Sequence, residues 1–177
     1  MSYSPVNSLC ISIQACTIFS CFAECRQPIH DHLRSRLKPC LKHGWPGPEA
    51  GEIVWCHFPE NKGIEPGPKP RPALIVKVFD DQAPHFIVLV AYGTSQKTDQ
   101  LRSGEFLIAD REAAAYQLAG LSYSKKFSFR NTVELPYSSE WFKVPPGAPN
   151  GQTPKLGVLH PSLMLRVRAA WETAQAG

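Results

Sequence analysis

The run from Gly63 to Pro72, Gly-Ile-Glu-Pro-Gly-Pro-Lys-Pro-Arg-Pro, constrains this chain more than any other stretch. Proline removes a backbone donor and fixes φ, while Gly63 and Gly67 permit turns, so no regular structure is expected from Pro59 to Pro70. The flanks have the opposite character. Glu52 to Phe58 ahead of the run, and Ala73 to Phe79 and His85 to Tyr92 behind it, are apolar, β-branched or aromatic and predict strands, the last ending at Gly93-Thr94-Ser95-Gln96. Seventeen prolines in 177 residues suit short strands with stiff connections better than a helical bundle. On such a scaffold, polar groups held in loops are where function concentrates.

The first predicted strand is apolar on both sides, with Ile53, Trp55 and His57 alternating with Val54, Cys56 and Phe58. A strand of that kind belongs in a sheet covered on both faces. His57, alone in an apolar strand, reads as a hydrogen-bonded structural residue rather than an acid or base. Further on, Glu105 to Ala109 predicts a short strand and Arg111 to Leu118 a short helix that stops at Ala119-Gly120. Lys125 to Leu135 predicts a long strand, with Lys125, Phe127, Phe129 and Asn131 on one face and Lys126, Ser128, Arg130 and Thr132 on the other. Val144 to Pro154 predicts a surface loop, and Lys155 to Leu159 a last strand. His160 and Pro161 open a helix through about Ala174, whose stripe of Leu163, Val167, Ala170, Trp171 and Ala174 reads as core packing.

At 43% hydrophobic, the chain supports one domain with a core, and it is too short for two comfortable ones. Gly44-Trp45-Pro46-Gly47-Pro48 makes a stiff junction. Residues 1–45 are expected to be a poorly ordered extension, or sequence appended by a start placed too far upstream, and residues 46–177 the folded domain. Five of the six cysteines fall in the first segment, but no Cys-x-x-Cys occurs and His30 and His32 offer no zinc-finger interval, so neither a metal nor another cofactor is expected. Leu9 to Ala23 follows no Lys or Arg and is too short to span a bilayer, which points away from secretion or a membrane. The expected location is the cytoplasm, with thiols reduced. A net charge of +4 permits a nucleic-acid partner without demanding one.

The chemistry rests on a few polar residues. Prolines on both sides of Arg71 hold its neighbours extended, so the guanidinium projects from a stiff strand start, and its planar fork suits a phosphate. The same loop, with Asn61, Lys62, Glu65 and Lys69, also reads as an ordinary solvated surface. Thr94, Ser95 and Gln96 suit a phosphate oxygen or a base edge, and equally suit a plain turn.

Taken in order, Gly51-Glu-Ile-Val-Trp, Gly63-x-Glu65, Arg71-Pro-Ala-Leu-Ile-Val and Thr94-Ser-Gln resemble the N-terminal half of the PemK/MazF toxins of type II toxin-antitoxin pairs. The resemblance is clearest over Gly51 to Gln96. It implies a mainly β fold with α, a small SH3-like β-barrel with a C-terminal helix. It also implies metal-independent cleavage of single-stranded RNA, often messenger RNA, in a homodimer neutralised by a cognate antitoxin. By position it assigns catalysis to Arg71, Thr94 and Glu65. In a reaction where the ribose 2′-OH attacks phosphorus, Arg71 would stabilise charge, Thr94 would bond a non-bridging oxygen, and Glu65 would act as base or orient Arg71. Lys62, Lys69, Ser95, Gln96, Lys97 and Arg130 would track the RNA, with Tyr92 or Phe129 stacking on bases. The chain departs from the family at Pro59-Glu60-Asn61, at Ile64 where some members carry histidine, and in lacking an Arg-x-Asp pair between Ser124 and Leu135. A second expectation is therefore a non-catalytic barrel that binds a protein such as gyrase.

Overall fold

The computed structural model describes residues 44–61, 65–81, 83 and 85–176. The expected N-terminal extension thus lies outside the described residues except for Gly44 and Trp45, and Lys62 lies outside them too. Six strands form one sheet: β1 (Glu52–Cys56), β2 (Arg71–Phe79), β3 (Ile87–Thr94), β4 (Glu105–Ile108), β5 (Lys125–Pro136) and β6 (Lys155–Val158). Their order is β4-β5-β3-β2-β1-β6, and every neighbouring pair is antiparallel. Two helices complete the fold, α1 (Ala113–Leu118) and, after a 3₁₀ turn at Pro161–Leu163, α2 (Met164–Gln175). The mainly β architecture with a C-terminal helix is that read from the sequence. Among the described residues, no helix is long and apolar enough to cross a membrane.

The two apolar sides of β1 face two separate clusters. Ile53 joins Leu74, Val76, Ala91, Phe106, Ile108, Phe127 and Phe129 on the first face, beneath α1 and α2. Val54, Cys56 and Phe58 join Ala73, Ile75, Val88, Val90 and Leu135 on the second. Burial on both sides explains why β2 and β3 are continuous apolar runs rather than alternating ones. The predicted α2 stripe is core: Leu163, Val167 and Ala170 are buried, with Trp171 and Ala174 packed against them. His160 caps this end, its Nδ1 accepting the Ser162 N–H at 3.1 Å, and Pro161 occupies a first-turn position where its missing N–H costs nothing.

The second face is covered by part of the long connection after β5. Trp141 and Phe142 are buried there, Tyr137 packs alongside, and Trp45 meets the Tyr137 ring edge-on at 5.7 Å. Backbone bonds from His57 to Trp141 at 2.7 Å and from Lys143 to Trp55 at 3.0 Å fasten this cover to β1. The surface loop predicted over Val144 to Pro154 therefore follows a buried plug.

Register slips bend the sheet. Between β3 and β5, Ala91 pairs with Thr132 but Tyr92 pairs with Ser128, so Phe129 to Asn131 bulge from β5. Such a bulge increases local twist and re-aims its side chains. A second slip lies between Ile75 and Lys77 of β2.

Two carboxylates secure the elements around α2. Arg166 donates to both oxygens of Glu112, at 2.8 and 3.0 Å, and to the Leu107 carbonyl. The Arg166 hydrogen bond is the main cause that holds the Glu112 carboxyl below its ordinary range. Burial raises Glu105, but hydrogen bonds from Lys126 and the Arg102 N–H, with the charges of those residues, outweigh it and leave its pKa lowered too. A folded-state pKa below the unfolded one adds stability that is full above the ordinary value of 4.5 and is lost as pH falls through the folded value. Melting temperature is accordingly expected to drop on acidification below about pH 4.5, and the double variant Glu105→Gln, Glu112→Gln to show a shallower drop in parallel melts.

Candidate active site

The pairing of β2, β3 and β5 brings sequence-distant polar residues to one end of the sheet. Arg71 pairs with Cys56 of β1. Between β2 and β3, Ala73 pairs with Tyr92, and continuing that register two residues sets Pro72 opposite Gly93 and Arg71 opposite Thr94. Thr94 in turn pairs with Lys126 of β5, which pairs with Leu107 of β4. Cross-strand partners project to the same face, so Arg71, Thr94 and Lys126 share the face of Cys56. The close approach at Pro72 and Gly93 depends on glycine: a Cβ there would lie 2.3 Å from the Pro72 carbonyl oxygen and 2.8 Å from a Phe127 ring carbon.

Both strands reach the site because they are longer at this end than their apolar runs predict. β2 begins at Arg71 and β3 runs through Thr94. Pro72 is tolerated as the second residue of its strand, where a missing donor interrupts little of the ladder.

Arg71 is exposed, and its side chain makes no hydrogen bond or ion pair with another described residue. Thr94 is half-buried, and its Oγ1 accepts the Gln96 N–H at 3.1 Å. That bond uses a lone pair and leaves the hydroxyl proton available to donate outward. Ser95, Gln96 and Lys97 follow on an exposed turn, in which Lys97 takes a left-handed φ of 51°. Lys126 anchors this turn from beneath: buried, its Nζ donates to the Gln100 carbonyl at 2.9 Å and to Glu105 Oε2 at 2.8 Å.

The proline-rich loop is pinned at one point. Gly67 donates its N–H to the His57 carbonyl at 3.1 Å, and His57 Nδ1–H donates to the Gly67 carbonyl at 2.6 Å. A Cβ on Gly67 would stand 2.2 Å from the Phe58 carbonyl oxygen, so only glycine sits this close to β1. His57 is thus committed to structure, as its apolar setting implies. Lys69 and Glu65 lie exposed on either side of this pin, and no hydrogen bond or ion pair joins Glu65 to Arg71 or Thr94.

Two residues assigned to RNA contact are engaged within the fold. Arg130 lies in the β5 bulge and donates to the Ser103 carbonyl at 3.1 Å, to Ser103 Oγ at 3.2 Å and to the Thr173 carbonyl near the end of α2. These bonds fasten the approach to β4 against the helix. Phe129 is not available to a base. It is buried between Phe106, at 5.5 Å, and Trp171, at 5.4 Å, because the bulge and α2 close over it. Tyr92 is half-buried, edge-on to Phe58 at 5.1 Å.

One cation absent from the sequence-based set precedes Lys126 and lies on the other face of β5. Lys125, first in β5 and paired with Ile108, is half-buried, and its pKa is lowered first by burial and then by the charge of Arg71. The visible signal was the adjacent pair Lys125-Lys126 opening the strand. Cys56, at the other end of the row, is buried and its thiol is pushed well up by desolvation, which makes it a poor nucleophile. Among the described residues, no three His, Cys, Asp or Glu side chains gather as a metal site.

Comparison with known proteins bears on the same segment. The family model for the PemK-like, MazF-like toxin of type II toxin-antitoxin systems matches residues 49–121. Among solved structures, an endoribonuclease in complex with its cognate antitoxin, from Mycobacterial species, is similar at a TM-score of 0.48 and 17% identity, over 73% of this chain and 96% of that chain. No curated protein matches the chain. Residues 49–121, which include Glu65, Arg71 and Thr94 and end before β5, therefore carry the PemK-like, MazF-like toxin pattern that Gly51 to Gln96 displays in the sequence.

Proposed function

We propose that this protein is the toxin of a type II toxin-antitoxin pair and that it cleaves single-stranded RNA by attack of a ribose 2′-OH on the adjacent phosphorus. The observation that carries the reading is the β2–β3 register, which, continued two residues past Ala73 and Tyr92, brings Arg71 across from Thr94 at an end of the sheet. In the reaction the bond from the 2′-oxygen to phosphorus forms and the bond to the 5′-oxygen breaks, the leaving oxygen taking a proton from Arg71 or water, which gives a 2′,3′-cyclic phosphate and a 5′-hydroxyl. Charge accumulates on the non-bridging oxygens in between. Arg71 faces solvent with its donors uncommitted to described groups, and Thr94 has a proton to give, so both can bond those oxygens in the transition state. Arg71, with a pKa above about 12, is unsuited to taking the 2′-OH proton. Glu65 is the proposed base, or the group that orients Arg71, once RNA draws the loop in. Lys62, Lys69, Ser95, Gln96 and Lys97 would track the strand, while Arg130 serves the fold.

A homodimer on an SH3-like barrel, a cognate antitoxin and a cytoplasmic setting complete this reading. Dependence on the 2′-OH makes DNA a non-substrate. The competing reading, a barrel that binds without cutting, draws on the lack of a hydrogen bond or ion pair between Glu65 and Arg71. The two are distinguished by incubating the full chain with mixed-sequence single-stranded RNA in EDTA and mapping the ends. Discrete cuts with 2′,3′-cyclic phosphate termini support the nuclease. Intact RNA across many sequences overturns it in favour of the binding barrel.

A further inference from the structure

We propose that His57 is a positioning residue for the candidate site: through Gly67 it clamps the span from Gly67 to Arg71, so that Lys69 is presented to a backbone phosphate of a single strand. The inference rests on the nucleic-acid reading above for the identity of the ligand, and adds a residue that the reading leaves out. Both ends of the span are fastened at the end of β1. Arg71 pairs with Cys56, and Gly67 makes two hydrogen bonds with His57, the next residue. The Gly67 N–H donates to the His57 carbonyl at 3.1 Å, and the Gly67 carbonyl accepts from Nδ1–H at 2.6 Å. No other hydrogen bond or ion pair joins residues 65–70 to a described residue.

Inside the span, Pro68 and Pro70 have fixed φ and restrict Gly67 and Lys69 in turn, so little backbone freedom remains once the ends are held. Lys69 stands between the two prolines, exposed and without an ionic partner among the described residues. A lysine that grips a phosphate must lose conformational freedom, and a backbone fixed beforehand lowers that loss. Of the two bonds to Gly67, only the imidazole bond depends on the side chain at position 57, and it is the shorter. The clamp is itself braced, because the His57 N–H donates to the carbonyl of the buried Trp141 at 2.7 Å. Glu65 lies outside the clamped span, so the clamp bears on strand binding rather than on the proposed base.

The test is binding of the full chain to a mixed-sequence 2′-O-methyl RNA, which cannot be cut, followed by fluorescence anisotropy at a temperature where thermal melts show every variant folded. His57→Phe is expected to weaken binding about 3- to 10-fold, the worth of one hydrogen bond. His57→Asn, whose amide nitrogen stands at the same bond distance from Cβ as Nδ1, is expected to restore it. In a Lys69→Met background His57→Phe is expected to cost nothing further, because the residue it positions is gone. If His57→Phe does not fold, His57→Gln, whose amide nitrogen reaches past the Nδ1 position, is read the same way. Wild-type affinity in the His57 variant, failure of His57→Asn to restore binding, or an equal loss with and without Lys69 overturns the clamp even where RNA is cut. The full pattern in a protein that leaves natural RNA intact upholds the clamp and removes the nuclease. Absence of binding by the wild type at low salt overturns both.

Discussion

Arg71→Ala is expected to lower the rate of single-stranded RNA cleavage by about 10²–10³-fold, the range found when one preorganised donor to a developing oxyanion is removed. The loss should fall on the catalytic rate more than on substrate affinity, because the charge that Arg71 meets is greatest in the transition state. The fold should not follow. Arg71 is an exposed residue at the start of β2 and its side chain makes no hydrogen bond or ion pair with a described group, so its truncation is expected to change stability by no more than about 0.5 kcal/mol. The measurement is single-turnover cleavage in EDTA beside a thermal melt of the same preparation. A variant that melts like the wild type and cuts as fast would remove Arg71 from the chemistry and, with it, the reading of this end of the sheet as an active site.

Gly93→Ala should be the most damaging small substitution near the site. The added methyl would stand 2.3 Å from the Pro72 carbonyl oxygen and 2.8 Å from the Phe127 ring. Neither neighbour can give way easily, since β2 is held between β1 and β3 and Phe127 is fully buried. Overpacking of this kind costs about 1–3 kcal/mol, and a backbone oxygen as one of the clashing atoms favours the upper end. The strands can relieve the clash only by parting at Pro72 and Gly93, which would move Arg71 away from Thr94. Cleavage is therefore expected to fall even at temperatures where the variant is fully folded. Melting curves and cleavage rates at two temperatures separate the effects; an unchanged melting temperature would mean that β2 and β3 stand further apart here than their register implies.

Much of the fold was legible because it depends on local pattern. The apolar runs over Glu52 to Phe58, Ala73 to Phe79 and His85 to Tyr92 became β1, β2 and β3, and the helical stripe from Leu163 to Ala174 became the buried side of α2. The two apolar sides of β1 foretold two clusters, and both are present. The lone His57 was read as structural, and it holds Gly67. What failed to show was whatever depends on pairing. Alternation along Lys125 to Leu135 gives no sign that Phe129 to Asn131 bulge against β3, and that bulge sends Phe129 under α2 and Arg130 to Ser103. The Tyr137 to Phe142 plug was hidden by the Pro- and Gly-rich stretch that follows it.

The sequence by itself determined which segments are strands, which helix face is buried, and that Arg71 and Thr94 are residues suited to a phosphate. Hydrophobic period and proline geometry act over a few residues, so they can be read without knowing what lies across the sheet. Only the tertiary structure decided that the β2–β3 register, carried on past Ala73 and Tyr92, sets Arg71 opposite Thr94, and that Lys126 anchors the turn beyond it. Those relations join residues 23 to 55 positions apart, from Arg71 to Thr94 and to Lys126, and are fixed by interstrand register. Register is set by the burial of both faces of the whole sheet, a property that no single segment carries.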